Sequence, residues 1–310
     1  MIITVSLNPA LDKTIAVDGV NANGVNRVLA SRVDAGGKGI NVAKTVKALG
    51  GEPLAMGIVG GSGGVFIQQQ LEGEGIRHDF VISEHPTRTN LKVSDRLRQT
   101  MTEFNEPGAP VTDVLLEQVW EKLDKTAQKG DTVVIAGTNP PGMQDDVIAG
   151  WIEKLNAKGV VTALDTIGES MRQGIAAKPS VIKPNINELA DLCGEDLHYI
   201  RDIIASARQI TQQGVERVVV SMGGDGALFV TKDRILRGYG LKIQLGSTVG
   251  SGDAMMAAIL HYLEQGCSWE ETAKWSIATS AANAMCEGSQ TPDMEQIKAL
   301  VDQVVIETMV

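Results

Sequence analysis

Residues 248–259 read Thr-Val-Gly-Ser-Gly-Asp-Ala-Met-Met-Ala-Ala-Ile, which sets one carboxylate, Asp253, directly after two glycines and before an apolar run with no other charge. The pattern predicts a helix opening at this point. First-turn N–H groups have no partners inside a helix, and the macrodipole adds partial positive charge there. The backbone of Gly250, Ser251 and Gly252 can therefore receive phosphate oxygens, and Asp253 can take a proton from an attacking hydroxyl. That chemistry is phosphoryl transfer. An aspartate N-cap beside turn glycines reads the same way in isolation. A second glycine-rich, helix-opening segment, Asp34-Ala-Gly-Gly-Lys-Gly-Ile-Asn-Val-Ala43, favours the chemical reading, because two such segments suggest two anions to be held.

The second segment is not a P-loop: the Gly-x-x-x-x-Gly-Lys-[Ser/Thr] spacing is missing, and Ile40 stands where a magnesium-binding hydroxyl is needed. Its glycines allow close backbone approach, Lys38 supplies a point charge, and Asn41 can both donate to and accept from sugar hydroxyls. Lys183-Pro-Asn-Ile-Asn-Glu188 places Asn185 and Glu188 three apart at a helix start, where both can face one cavity and orient water around Mg²⁺. The same pair also fits a capping box. Ser221-Met-Gly-Gly-Asp-Gly226 follows an apolar strand and could present amides to a nucleotide, as could any glycine hairpin. Gly57–Gly64 fails the dinucleotide spacing, since Phe66 takes the last glycine's place, and reads as a strand-to-helix turn lining a cleft.

These segments need a scaffold, and the chain has the material for one: 310 residues, 43% of them apolar. From about residue 110 onward, β-branched runs (132–136, 160–164, 181–182, 217–221) alternate with amphipathic helical patterns (114–128, 147–157, 199–213), which predicts a parallel sheet covered by helices. Segments 268–286 and 293–309 read as helical throughout. Short alternating runs within about 12–33 and 79–104 predict hairpin strands of a small separate sheet, a lid that would keep water from a transferred phosphoryl group.

A net charge of −10 argues against nucleic acid and anionic membranes as partners. No apolar stretch reaches the roughly 20 residues of a membrane span. Cys193, Cys267 and Cys286 are too far apart for a metal or redox motif, and the four histidines lack ligand spacing. With no basic leader before Asn8-Pro9, a reducing cytoplasm is the expected compartment.

Leu7-Asn-Pro-Ala-Leu-Asp12, Asp34–Asn41, Arg88-Thr-Asn-Leu-Lys-Val93, Lys183-Pro-Asn185 with Glu188, Ser221–Gly226 and Thr248–Asp253 together resemble, in order and spacing, the ribokinase-like sugar kinases of the PfkB family over essentially the whole chain. The resemblance implies a single domain over 1–310: a three-layer α/β/α sandwich with a mostly parallel central sheet and a small β-sheet lid. It implies ATP and Mg²⁺ as cofactors, a phosphosugar substrate, and a homodimer formed through the lid. Carried onto this sequence, Asp253 is the base and the amides of Gly250, Ser251 and Gly252 the anion hole. Asp12, Gly37, Asn41 and Asn139 would contact the sugar, while Lys38, Arg88 and Arg27 would hold the phosphate already on it. Lys183, Asn185, Ser221, Gly223, Gly226 and Asn283 would serve the nucleotide, with Glu188 reaching the metal through water.

Among family members the expected substrate is fructose 1-phosphate, with tagatose 6-phosphate and fructose 6-phosphate as near alternatives. Lys38 sets the chain apart from the fructose 6-phosphate relatives, which resemble Gly-Gly-Gly-Gly there. Two departures from the usual pattern touch the sugar side. In Ala136-Gly-Thr-Asn-Pro-Pro-Gly142 the expected hydroxyl becomes Thr138 or the amide of Asn139, and Ile167 replaces a serine before Gly168. A non-catalytic sugar-phosphate sensor is the rival of another class, disfavoured by retention of Asp253 with both glycines. A nicotinamide oxidoreductase built on Gly57–Gly64 lacks the expected acid, since Arg77 and His78 stand near that place.

Overall fold

The computed structural model describes residues 1–288 and 290–309. The N-terminal half contains β1 (Ile2–Ser6), β2 (Ala10–Val17), β3 (Ala30–Gly36), α1 (Lys38–Ala48), β4 (Leu54–Gly60), α2 (Gly61–Gly73), β5 (Arg77–Ser83), β6 (Arg88–Asp95), β7 (Thr100–Asn105), α3 (Asp113–Thr126), β8 (Thr132–Ala136) and α4 (Val147–Ala157). The remainder contains β9 (Val161–Asp165), α5 (Gly168–Ala176), β10 (Val181–Ile182), α6 (Ile186–Cys193), α7 (Ile200–Gln212), β11 (Arg217–Ser221), β12 (Ala227–Thr231), β13 (Ile235–Gly238), α8 (Ser251–Glu264), α9 (Trp269–Ala284), α10 (Met294–Val301) and β14 (Ile306–Met309).

The main sheet runs β14-β13-β12-β11-β10-β9-β8-β1-β4-β5. It is parallel from β5 to β11 and antiparallel from β11 to β14. Strands covered on both faces must be apolar on both, and β1 and β8 are buried at every position. Successive side chains go to opposite layers. Ile3 and Val5 join Leu116, Val119 and Leu123 of α3 and Ile152 of α4, whereas Ile2 joins Val42 and Val46 of α1 and Met256 and Ile259 of α8. α8 is buried continuously from Asp253 to Tyr262, which is why its sequence is apolar all round.

The second sheet, β3-β2-β6-β7, is the lid. β2 and β6 pair in parallel from Ala10↔Arg88 to Val17↔Asp95, and the outer strands pair antiparallel. Its bounds differ from the sequence expectation. Residues 18–29 form a connection, and 77–83 belong to the main sheet, because β5 there pairs with β4 along its whole length. The C-terminal segment is a second correction. Helix ends at Val301, and the alternating Ile-Glu-Thr-Met that follows pairs with β13, giving its edge backbone groups partners.

Candidate active site

The sheet's parallel strands end on a common edge, where ligands of open α/β folds bind. A cavity of 590 Å³ lies there beneath the lid, lined by Ser6, Asn8, Gly137, Thr138, Lys183, Asn185 and Ser221 from strand ends, and by Asp12, Arg88, Asn90, Lys92, Glu103 and Asn105 from the lid. Gly37, Lys38 and Asn41 of α1 and Gly250, Gly252 and Asp253 of α8 complete the wall. A second cavity of 410 Å³ adjoins it, sharing Asn185, Ser221, Thr248 and Gly252, and is mostly apolar, with Leu241, Ile243, Leu245, Met255 and Ile277. One chamber suits polar, charged groups and the other a flat apolar ring.

The helix opening lies between the two chambers. Gly250 takes the N-cap of α8 with φ of 78°, a left-handed conformation that favours glycine. The turn leaves the N–H groups of Gly250 and Gly252 without backbone acceptors among the described residues, while the Ser251 N–H turns back to the Thr248 carbonyl at 3.3 Å. A side chain at 252 would place its Cβ 3.1 Å from Lys183 Nζ, so the glycine keeps that ammonium close.

Asp253 is 7% exposed, and its Oδ2 accepts from Asn41 Nδ2 at 2.8 Å. Burial, reinforced by the nearby charge of Asp165, pushes its pKa up to about 6, while Lys38, Asn41 and Lys183 only partly oppose this. The carboxylate is therefore basic enough to accept a proton and still ionised near neutrality. Asp165, fully buried at the end of β9, lies between two ammonium groups, with Lys38 Nζ at 2.6 Å and Lys183 Nζ at 3.1 Å. Burial works against its charge, but Lys183 and Lys38 hold it below the usual carboxylate range. Burial likewise opposes the Lys38 charge, yet Asp165, Asp253 and Glu188 hold Lys38 above the usual lysine range.

Asn185 and Glu188 do form the capping box, with bonds of 2.9 and 2.8 Å. Both also line the cavity, and Glu188 Oε1 stands 3.8 Å from Lys38. Structural and site roles coexist here, because the box uses Oε2 and leaves Oε1 to the chamber. Among the described residues no three His, Cys, Asp or Glu side chains are grouped to cage a metal. The one carboxylate oxygen that Glu188 leaves to the chamber would fit Mg²⁺ held through water, since that ion keeps several waters and takes few protein ligands.

On the sugar side, Arg88 donates to the Asn8 carbonyl at 3.0 and 3.2 Å, to the Glu106 carbonyl at 2.6 Å and to Thr138 Oγ1 at 3.4 Å. Among the described residues no carboxylate lies within 4.0 Å of it, so its charge remains available to an anion. Burial lowers its pKa, with Asp12 and Glu106 pulling the other way.

Several expected positions lie elsewhere. Lys38 lines the polar chamber with Arg88, but its ammonium is held by Asp165 at 2.6 Å and stands 3.8 Å from Glu188. Arg27 is exposed on the lid connection and lines neither chamber. Asn139 turns its side chain to Ser170, leaving Thr138 as the hydroxyl of that loop. Asn283 donates to the Gln290 carbonyl at 2.9 Å and backs Gly250, so it supports the turn and does not line the apolar chamber. Gly223 and Gly226 do line that chamber, but Gly57–Gly64 does not. Asp165 was missed, although a lone acid ending an apolar strand, Val161-Thr-Ala-Leu-Asp165, was its signal.

A buried carboxylate at a helix mouth, set between a polar and an apolar chamber on a ribokinase-like α/β fold, is the arrangement of an alcohol-directed phosphotransferase. The profile of the pfkB family carbohydrate kinases matches residues 5–297, and the chain belongs to that family of ATP-dependent sugar kinases. It is 34% identical over 309 residues to a 1-phosphofructokinase of Rhodobacter capsulatus, covering 99% of this chain and 98% of the relative. A tagatose-6-phosphate kinase of Staphylococcus epidermidis is 31% identical over 288 residues, covering 92% of each. The crystal structure of phosphofructokinase-2 from Escherichia coli in complex with fructose-6-phosphate matches with a TM-score of 0.92 at 27% identity, covering 97% of this chain and 98% of that one.

Proposed function

We propose that the protein transfers the γ-phosphoryl group of ATP to the free C6 hydroxyl of fructose 1-phosphate, releasing fructose 1,6-bisphosphate and ADP. The observation that carries this reading is Asp253, buried between helix-mouth amides and a chamber whose arginine has no carboxylate within 4.0 Å among the described residues, its pKa pushed up to about 6. In this reading Asp253 accepts the hydroxyl proton, and the N–H groups of Gly250 and Gly252 receive developing charge. Lys38 and Lys183, steadied by Asp165, balance the phosphoryl group in transit. The transition state is loose, so positioning and charge do most of the work. Arg88 holds the phosphate already on the sugar, and Asp12 and Asn41 read its hydroxyls.

The adenine would lie in the apolar chamber between Gly223–Gly226 and Met255, with its phosphates reaching Asn185 and Ser221. Glu188 would hold Mg²⁺ through water, and the ion would supply charge neutralisation at the phosphates.

We further propose that the lid pairs with a second copy. Register puts Ile15, Val33, Leu91, Val93 and Phe104 on its outer face, opposite Asp12 and Asn90, and Val33 and Phe104 are exposed. The test of substrate is a coupled assay with ATP and Mg²⁺ offering fructose 1-phosphate, tagatose 6-phosphate and fructose 6-phosphate. The expected ranking puts fructose 1-phosphate first by kcat/KM. Preference for tagatose 6-phosphate would move the chain to the other relative's activity, and tight binding without ADP release would make it a sensor.

A further inference from the structure

Asp12 and Lys92 form a buried ion pair inside the polar chamber, with Nζ and Oδ2 2.7 Å apart and the lysine and aspartate side chains 3% and 4% exposed. The other oxygen, Oδ1, accepts from Asn90 Nδ2 at 3.0 Å. The lid register produces this arrangement. Asp12 on β2 stands opposite Asn90 on β6, and Arg88, Asn90 and Lys92 alternate onto the same face. Gly36 walls the carboxylate in, since a Cβ there would fall 2.4 Å from its Cγ.

Burying both charges is costly, at several kcal/mol per ion before their attraction is counted, and apolar residues would stabilise a small sheet at least as well. Glu103, opposite Lys92 on β7, is exposed and lines the same chamber, yet no ion pair forms between them. The ammonium is drawn inward to Asp12. Other charges facing the pair are Arg88 on the same face of β6 and Asp34, opposite Asp12 on β3 and held by Arg32 at 2.7 Å. Lys38 and Asp253 face it from the other wall of the chamber.

We infer that Lys92 is a positioning residue for sugar recognition: it holds Asp12 as an oriented acceptor for a sugar hydroxyl, so that the lid takes hydroxyls at Asp12 and phosphate at Arg88. A fixed carboxylate accepts hydroxyl hydrogens and repels a phosphate, whereas Arg88, bonded among the described residues to carbonyls and a hydroxyl, attracts one. The two together set which end of the phosphosugar reaches Asp253. This rests on the phosphosugar reading above.

The test compares Lys92→Met, which keeps length and loses charge, with Lys92→Arg. Calorimetry measures fructose 1-phosphate binding directly, and steady-state kinetics give KM for each substrate. In Lys92→Met, sugar affinity near neutral pH should fall about tenfold, since a buried acceptor loses its charged donor. The ATP KM should stay unchanged, and kcat at saturating sugar should stay within about threefold. Lys92→Arg should restore most of the loss. Should Lys92→Met fail to fold, Asn90→Ala removes a second bond to Asp12 and should also weaken sugar selectively. Wild-type sugar affinity in Lys92→Met, or equal weakening of sugar and ATP, would overturn the inference. A wild-type protein that binds no phosphosugar overturns the substrate reading itself and this inference with it.

Discussion

Asp253 differs from the other buried acids of the site in what surrounds it. Asp165 pairs directly with two ammonium groups that hold it ionised, while for Asp253 burial and the Asp165 charge outweigh Lys38, Asn41 and Lys183, so it is the better placed to exchange a proton. Asp253→Asn should lower kcat by about 10²–10⁴-fold while leaving calorimetric affinity for both substrates within a few-fold. Wild-type turnover in that variant would remove it as base. Because the carboxylate must be ionised to act and its pKa is raised to about 6, kcat should fall with acid below that pH and level off above it. Asp165→Asn removes a like charge, so the acid limb should move to lower pH in a kcat profile. Glycines and order marked Asp253, Asn41 and Arg88, which the fold brings into one chamber. Lys38 was marked but not placed, since only the fold brings Asp165 between it and Lys183.

At the scale of elements, the α8 mouth depends on two glycines for different reasons. Gly250 holds φ of 78°, so Gly250→Ala should cost about 1–3 kcal/mol and lower the melting temperature in a thermal scan. Gly252→Ala should leave stability closer to wild type and raise the ATP KM, because its methyl would crowd Lys183. The parallel strands were legible from their doubly apolar runs, which only a covered sheet explains. Lid bounds and β14 were less so: β5 and the lid strands share the same short alternation, and which sheet receives them is decided by distant partners. The end of α10 illustrates the same limit, as β-branched Val304 and Val305 extend an apolar pattern past the last helical turn.

For the whole molecule, the lid's apolar outer face is the feature that asks for a partner. Leu91→Asp, aimed at that face, should convert a dimer to a monomer by sedimentation or light scattering, and should weaken the sugar KM more than the ATP KM because only the lid is loosened. An unchanged mass would dismiss the lid as the interface. No described helix is long and apolar enough to cross a membrane.

The bond from Asn41 to Asp253 joins positions 212 residues apart. At about 5–20 residues per second, a ribosome needs roughly 10–40 s to travel from one to the other. During synthesis the Asn41 side of the pocket therefore emerges long before Asp253 exists. A chain halted before α8 lacks one wall of the polar chamber, so the pocket closes only when the C-terminal third has been made.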